Sequence, residues 1–205
     1  MDAKLIDIAK KMNRKGFKTE CFSTAEEARK RTLEILKDSN SIGIGGSVTI
    51  PKTGIYTALT EAGHEIQSAA HAVKTGQDME EARRAGMTAD AYLLSANAVT
   101  EDGSIVNIDG TGNRVAAAIY GPKKVVYVIG KNKLAGDLGD AIAKIKRDAC
   151  PKNARRLGYE TPCSVTGECA NCFSEHRMCN VTTVMEFPMR GQEVYVLFID
   201  AEYGF

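Results

Sequence analysis

Three shortages bound what this chain can be. Lysine and arginine number 27 against 26 aspartates and glutamates, a formal charge of +1, so no overall field exists to draw in nucleic acid or an anionic membrane. No apolar run approaches the ~18 residues of a membrane span, and the charged, amphipathic start MDAKLIDIAKKMNRKGF lacks a signal-peptide core. Motifs are scarce too. There is no GxGxxG dinucleotide fingerprint and no GxxxxGK[ST] phosphate loop, no internal repeat and no low-complexity tract. His64, His71 and His176 have no serine or cysteine partner in a hydrolase-like arrangement. What is present is an ordinary folding composition, 43% apolar and 26% charged with no tryptophan, which predicts a cytoplasmic protein of one main domain spanning residues 1–205. Nucleic acid and membrane are not expected among its partners.

Apolar residues at helical spacing (Leu5, Ile8, Ala9, Met12) open the chain, and Ser23 with Glu26 reads as a capping box for a second helix through Thr32 and Leu36. Then NSIGIGGSVTIP is a buried strand running into a glycine turn and a helix that Gly63 ends. HEIQSAA reads as a strand, DMEEARRAG as a helix with Asp78 at its cap and Gly86 past its end, and AYLLSANAV as another strand. Such alternation implies a doubly wound parallel sheet covered on both faces. The Asp102-Gly103 pair marks a hairpin, so the sheet is expected to be mixed. A helix from Gly112 to Tyr120 capped by Thr111, the strand KKVVYVIG and a helix reaching about Arg147 follow, and EVYVLFID closes the sheet.

Residues 150–180 differ in texture. They hold five of the six cysteines and few large apolar side chains, so burial alone does not offset an ordering cost of roughly 1–2 kcal/mol per residue. In a reducing compartment, clustered cysteines point first to metal or redox work. Cys163, Cys169, Cys172 and Cys179 form a Cys-x5-Cys-x2-Cys-x6-Cys set whose CxxC pair can reach one centre, and four-cysteine sites serve zinc and iron–sulfur clusters alike. The cationic neighbours Arg147, Lys152, Arg155, Arg156 and Arg177 suit a cluster of net negative charge, which favours a four-iron four-sulfur cluster over zinc. Cys150 is a fifth candidate. The alternatives are a redox or disulfide pair of Cys169 and Cys172, or thiols that merely fill space; Cys21 stands alone as a small core residue.

Two polar stretches carry the remaining chemistry. In GIGGSVTIP, Gly45, Gly46, Ser47 and Thr49 lie where a strand gives way to a helix, a place where backbone amides and the helix terminus favour an anion; a plain tight turn is the alternative. In SANAVTEDGSIVNIDGTGNR, residues Asn97, Asp109, Thr111, Asn113 and Arg114 crowd strand ends, where ligands of open α/β sheets bind. Arg114, in the first turn of its helix, is unfavourably placed for the helix dipole and calls for an anionic ligand or a carboxylate partner such as Asp109. Capping by Asp109 and Thr111 is the plainer reading.

The glycine loop, SANAVTEDGSIVNIDGTGNRVAAAIYGPKKVVYVIGKNK and the tail TPCSVTGECANCFSEHRMCN together resemble the lactate utilization (LUD) domain family over nearly the whole chain, the tail matching a short cysteine-bearing branch. The resemblance implies a sheet like that of the glucosamine-phosphate deaminase, ribose-phosphate isomerase and CoA-transferase group. It further implies a place beside iron–sulfur oxidoreductase subunits in lactate oxidation. No glutamate is placed as a CoA-transferase nucleophile. Three functions are therefore expected, in descending order: an accessory or electron-transfer component of lactate utilization that binds a small anionic metabolite, alone or as a homodimer; a stand-alone enzyme on a sugar-phosphate or CoA-ester substrate with structural zinc; and a non-catalytic sensor.

Overall fold

Residues 124–130, KVVYVIG, are buried along almost their whole length, as a strand covered on both faces must be. Val125, Tyr127 and Ile129 join one apolar layer while Val126 and Val128 join another. That two-sided strand is the middle of the fold. The computed structural model describes all residues, 1–205, in the order α1 (Ala3–Arg14), β1 (Lys18–Phe22), α2 (Ala25–Leu36), β2 (Ser41–Ile44), α3 (Thr49–Lys52), α4 (Ile55–Glu61), β3 (Glu65–Gln67), α5 (Ala69–Thr75), α6 (Met79–Met87), β4 (Ala91–Leu94), β5 (Ala98–Val99), β6 (Ile105–Asp109), α7 (Asn113–Tyr120), β7 (Lys124–Gly130), α8 (Leu138–Lys144), α9 (Cys150–Leu157), α10 (Pro162–Thr166), β8 (Val181–Met185) and β9 (Glu193–Ile199).

Six strands form a sheet in the order β1-β9-β7-β4-β2-β3, and every neighbouring pair in it is parallel. One face packs on α1 and α7 through Leu5, Ile8, Met12, Ala117 and Ala118. The other packs on α2, α3 and α4 through Ala28, Leu36, Ile50, Ile55 and Leu59. This is the doubly wound α/β architecture that the alternation predicts. The antiparallel pairing expected inside that sheet lies instead in a separate one, β5-β6-β8. Its apolar residues Ala98, Val106 and Ile108 form a third, smaller core with Ala141, Ile145, Ala149 and Cys150. The hairpin turn falls where expected, with Gly103 at φ 87°.

Several local expectations are corrected. The capping box is one residue along, Thr24 with Glu27; both frames place a hydroxyl three residues before a glutamate, and only packing selects between them. Strand β1 was hidden between the first two helices because it is short and only partly buried. Of HEIQSAA only Glu65–Gln67 is strand, and Ser68 then caps α5. Gly86 lies within α6, where its bare backbone lets the helix approach Gly43 and the Gln67 carbonyl. The helix of 138–147 does not stop there: it passes through a π-type turn, Ile145–Ala149, into α9, so Cys150 sits in a helix rather than in a loose insertion.

Candidate functional site

A cleft of about 540 Å³ opens at the carboxyl ends of the parallel strands, where β2, β3, β4 and β7 hand over to the loops beyond them. All nine residues singled out for ligand binding line it: Gly45, Gly46, Ser47, Thr49, Asn97, Asp109, Thr111, Asn113 and Arg114. Their hydrogen bonds divide them into two groups.

The first group is spent on the protein itself. Arg114 is 8% exposed, and each of its five N–H donors has a protein acceptor. Nε donates to Asp109 Oδ2 at 2.9 Å, Nη1 to the Ser95 carbonyl at 3.2 Å and Asn107 Oδ1 at 3.0 Å, and Nη2 to Asn97 Oδ1 at 3.0 Å and the Ile108 carbonyl at 2.9 Å. A guanidinium has no sixth donor. Arg114 thus joins the loop after β4 to β6 and has nothing left for an incoming anion. Asp109 also accepts from the Gly112 backbone N–H at 2.9 Å. The cap of α7 is therefore Gly112 at φ 89° with Asp109 beneath it, and Thr111 has no part in it. Thr49 is buried and donates to the Tyr203 carbonyl at 3.3 Å, and Ser47 Oγ accepts from the Thr49 and Ile50 backbone N–H groups at the start of α3. A Cβ on Gly45 would come within 2.7 Å of Arg114 Cγ, so that glycine is required by packing; one on Gly46 would meet nothing within 4 Å.

The second group faces the open volume. The side chains of Thr111 and Asn113 and the side-chain nitrogen Nδ2 of Asn97 have no partner inside the protein, and the Tyr92 hydroxyl lies on the cleft floor without one. Burial raises the pKa of that phenol, so it is a neutral donor. Lys133, in the turn after β7 (Lys131–Lys133), also lines the cleft, although sequence reading passed over it. The available signal was its position: a lysine just past the carboxyl end of a fully buried strand. His71, which the sequence left without a role, pairs with Tyr56 through Nδ1 at 2.9 Å.

A second, smaller and apolar pocket gathers Cys150, Cys163, Cys169, Cys172 and Cys179, five of the six cysteines. Cys150 is buried, Cys169 exposed, and the other three intermediate. Burial, helped by the thiols of Cys179, Cys163 and Cys169, pushes the Cys150 thiol up to about 12. Arg177 holds this loop in shape, donating to the carbonyls of Cys172 at 2.6 Å and Cys179 at 3.2 Å. The loop is in turn fastened to the sheet, because Asn180 donates to the Asp109 and Gly110 carbonyls at 3.0 Å each. No three of these thiols converge closely enough to enclose a single ion. Cys150 and Met178 line both cavities, so the sulfur pocket and the cleft share a wall.

A sequence profile described as the LUD domain matches residues 6–199. Among solved structures, a DUF162 family protein from Deinococcus radiodurans superposes with a TM-score of 0.55 at 12% identity, the match covering 96% of each chain; at that identity the likeness is one of fold. No curated protein matches. No helix is long and apolar enough to cross a membrane.

Proposed function

The chain belongs to the LUD domain family, whose membership suggests a role in lactate utilization, and from that premise we propose that it is an accessory or electron-transfer component of 2-hydroxy-acid oxidation. In this reading the cleft takes a small anionic metabolite, and Cys163, Cys169, Cys172 and Cys179 hold an iron–sulfur cluster, with Cys150 as the sulfur nearest the cleft. The observation that carries the reading is the shared wall: five thiols ring one pocket that touches the polar cleft through Cys150 and Met178. A bound cluster would supply one-electron chemistry beside the ligand. Val165, 82% exposed, lies between Cys163 and Cys169, and Phe173, 99% exposed, between Cys172 and Cys179. They offer apolar surface to an iron–sulfur oxidoreductase subunit, the expected electron partner.

Anaerobic purification tests this. The expected product is brown, with iron and acid-labile sulfide in equal amounts, and replacing Cys169 and Cys172 together by serine should remove both and expose residues 160–180 to protease while the sheet unfolds as before. Full metal content in that double variant would refute the ligand set. A colourless protein with one zinc per chain would favour the stand-alone enzyme on a sugar phosphate or CoA ester.

A further inference from the structure

Three cations line the cleft, and two of them are already engaged: Arg114 with Asp109 at 2.9 Å and Arg83 with Glu80 at 3.4 Å. The third, Lys133, is only 4% exposed. It has no hydrogen-bond or carboxylate partner, and the charges acting on it, from Lys144, Arg114 and Lys152, are all positive. Burying an ammonium without a counter-ion is costly, and chains retain such a group where a ligand completes it. The neutral groups left unpaired in the same cavity include the Thr111 hydroxyl, the Asn97 side-chain nitrogen, the Asn113 amide and the Tyr92 hydroxyl. One free cation amid neutral donors matches a ligand with a single negative charge and an adjacent oxygen. A phosphate would draw instead on the unpaired backbone N–H groups of Gly46, Ser47 and Val48 in the same cleft, and is therefore the competitor that the test must separate.

We propose that Lys133 is the specificity-determining residue of the cleft, its ammonium receiving the carboxylate of a small 2-hydroxy or 2-oxo monocarboxylic acid while the neutral side chains contact the neighbouring oxygen. The assignment rests on the reading of the cleft as an anion site. It also reassigns the anchoring role: Arg114, the natural choice from sequence, holds the wall, and Lys133 holds the ligand. Burial, reinforced by the three neighbouring cations, lowers the ammonium pKa to about 8. Affinity for a carboxylate should therefore hold up to that pH and fall above it, since the free protein then loses the proton that the bound form needs.

The test titrates lactate, pyruvate and inorganic phosphate into full-length protein kept anaerobic, comparing the wild type with Lys133→Met and Lys133→Gln by calorimetry and thermal unfolding. The expected result is a response of the wild type to the two carboxylates and not to phosphate. Both variants should bind at least tenfold more weakly, with no pH dependence near 8, and Lys133→Met should melt at a higher temperature than the wild type in buffer alone. A merely structural lysine would give the reverse, a lower melting temperature with carboxylate binding intact, and that result would overturn the assignment. Preference for phosphate would overturn the ligand class. A wild type that binds none of the three would remove the cleft reading itself, an outcome distinct from wild type and variants binding alike, which would remove Lys133 alone.

Discussion

The two walls of the cleft treat a buried positive charge in opposite ways. On the wall between β4 and β6, Arg114 uses all five donors on the protein and ties the loop after β4 to β6. On the wall after β7, Lys133 is equally buried and makes no such bond. A charge whose hydrogen bonds all close within the chain is part of the scaffold, because its desolvation is repaid on folding. One left open stores that penalty until something binds. Both are buried cations lining the same cleft, one at the start of α7 and one in the turn after β7, and their partners differ.

Breaking the satisfied wall should have the largest effect. Arg114→Met leaves the Asp109 side chain buried with one hydrogen bond and removes the donors to the Ser95 and Ile108 carbonyls, an expected loss of about 3–5 kcal/mol visible as a lower denaturant midpoint. A midpoint shift under ~1 kcal/mol would mean that the network behaves like a surface ion pair. The open wall should respond to pH with the opposite sign. Lys133 titrates at about 8 in the folded protein against 10.5 ordinarily, so below pH 8 the unfolded and folded chains are both protonated and the full penalty applies. Between about 8 and 10.5 the unfolded chain binds more protons, and stability rises with pH, by roughly 3 kcal/mol in all. Lys133→Gln should flatten that rise in denaturation curves recorded across the window, and an unchanged slope would assign it to another group. The glycine loop sharpens the contrast at smaller scale. Gly45→Ala presses on Arg114 Cγ, which its hydrogen bonds prevent from moving, at an expected cost of about 1–3 kcal/mol. Gly46→Ala faces open cleft and should be neutral or stabilising by up to about 1 kcal/mol. Equal melting temperatures for the two variants would contradict the rigid wall.

Much of the scaffold was legible because its signals are local. Asp78 caps α6, accepting from the Glu80 and Glu81 backbone N–H groups, and the hairpin turns at Asp102-Gly103, as the residue types require. KKVVYVIG could only be a strand covered on both sides. The errors fell where two local readings were equally good, as in the frame of the capping box, or where a short element carried too few residues to show a period, as in β1 and α5. The site was legible in part for the same reason: strand-end loops rich in Asn, Asp, Thr and Gly can be found by type, and all nine chosen residues do line one cavity.

The sequence by itself determined the alternation of strand and helix, the place of the cleft at strand ends and the clustering of cysteines, since each depends on residues near one another in the chain. Only the tertiary structure decided that the antiparallel strands leave the main sheet, that Cys150 of α9 joins Cys163 of α10 and three cysteines of the loop after it beside the cleft, and that Arg114 is closed while Lys133 stays open. Whether a donor finds an acceptor depends on groups brought together from distant positions, and that pairing has no period or spacing to read.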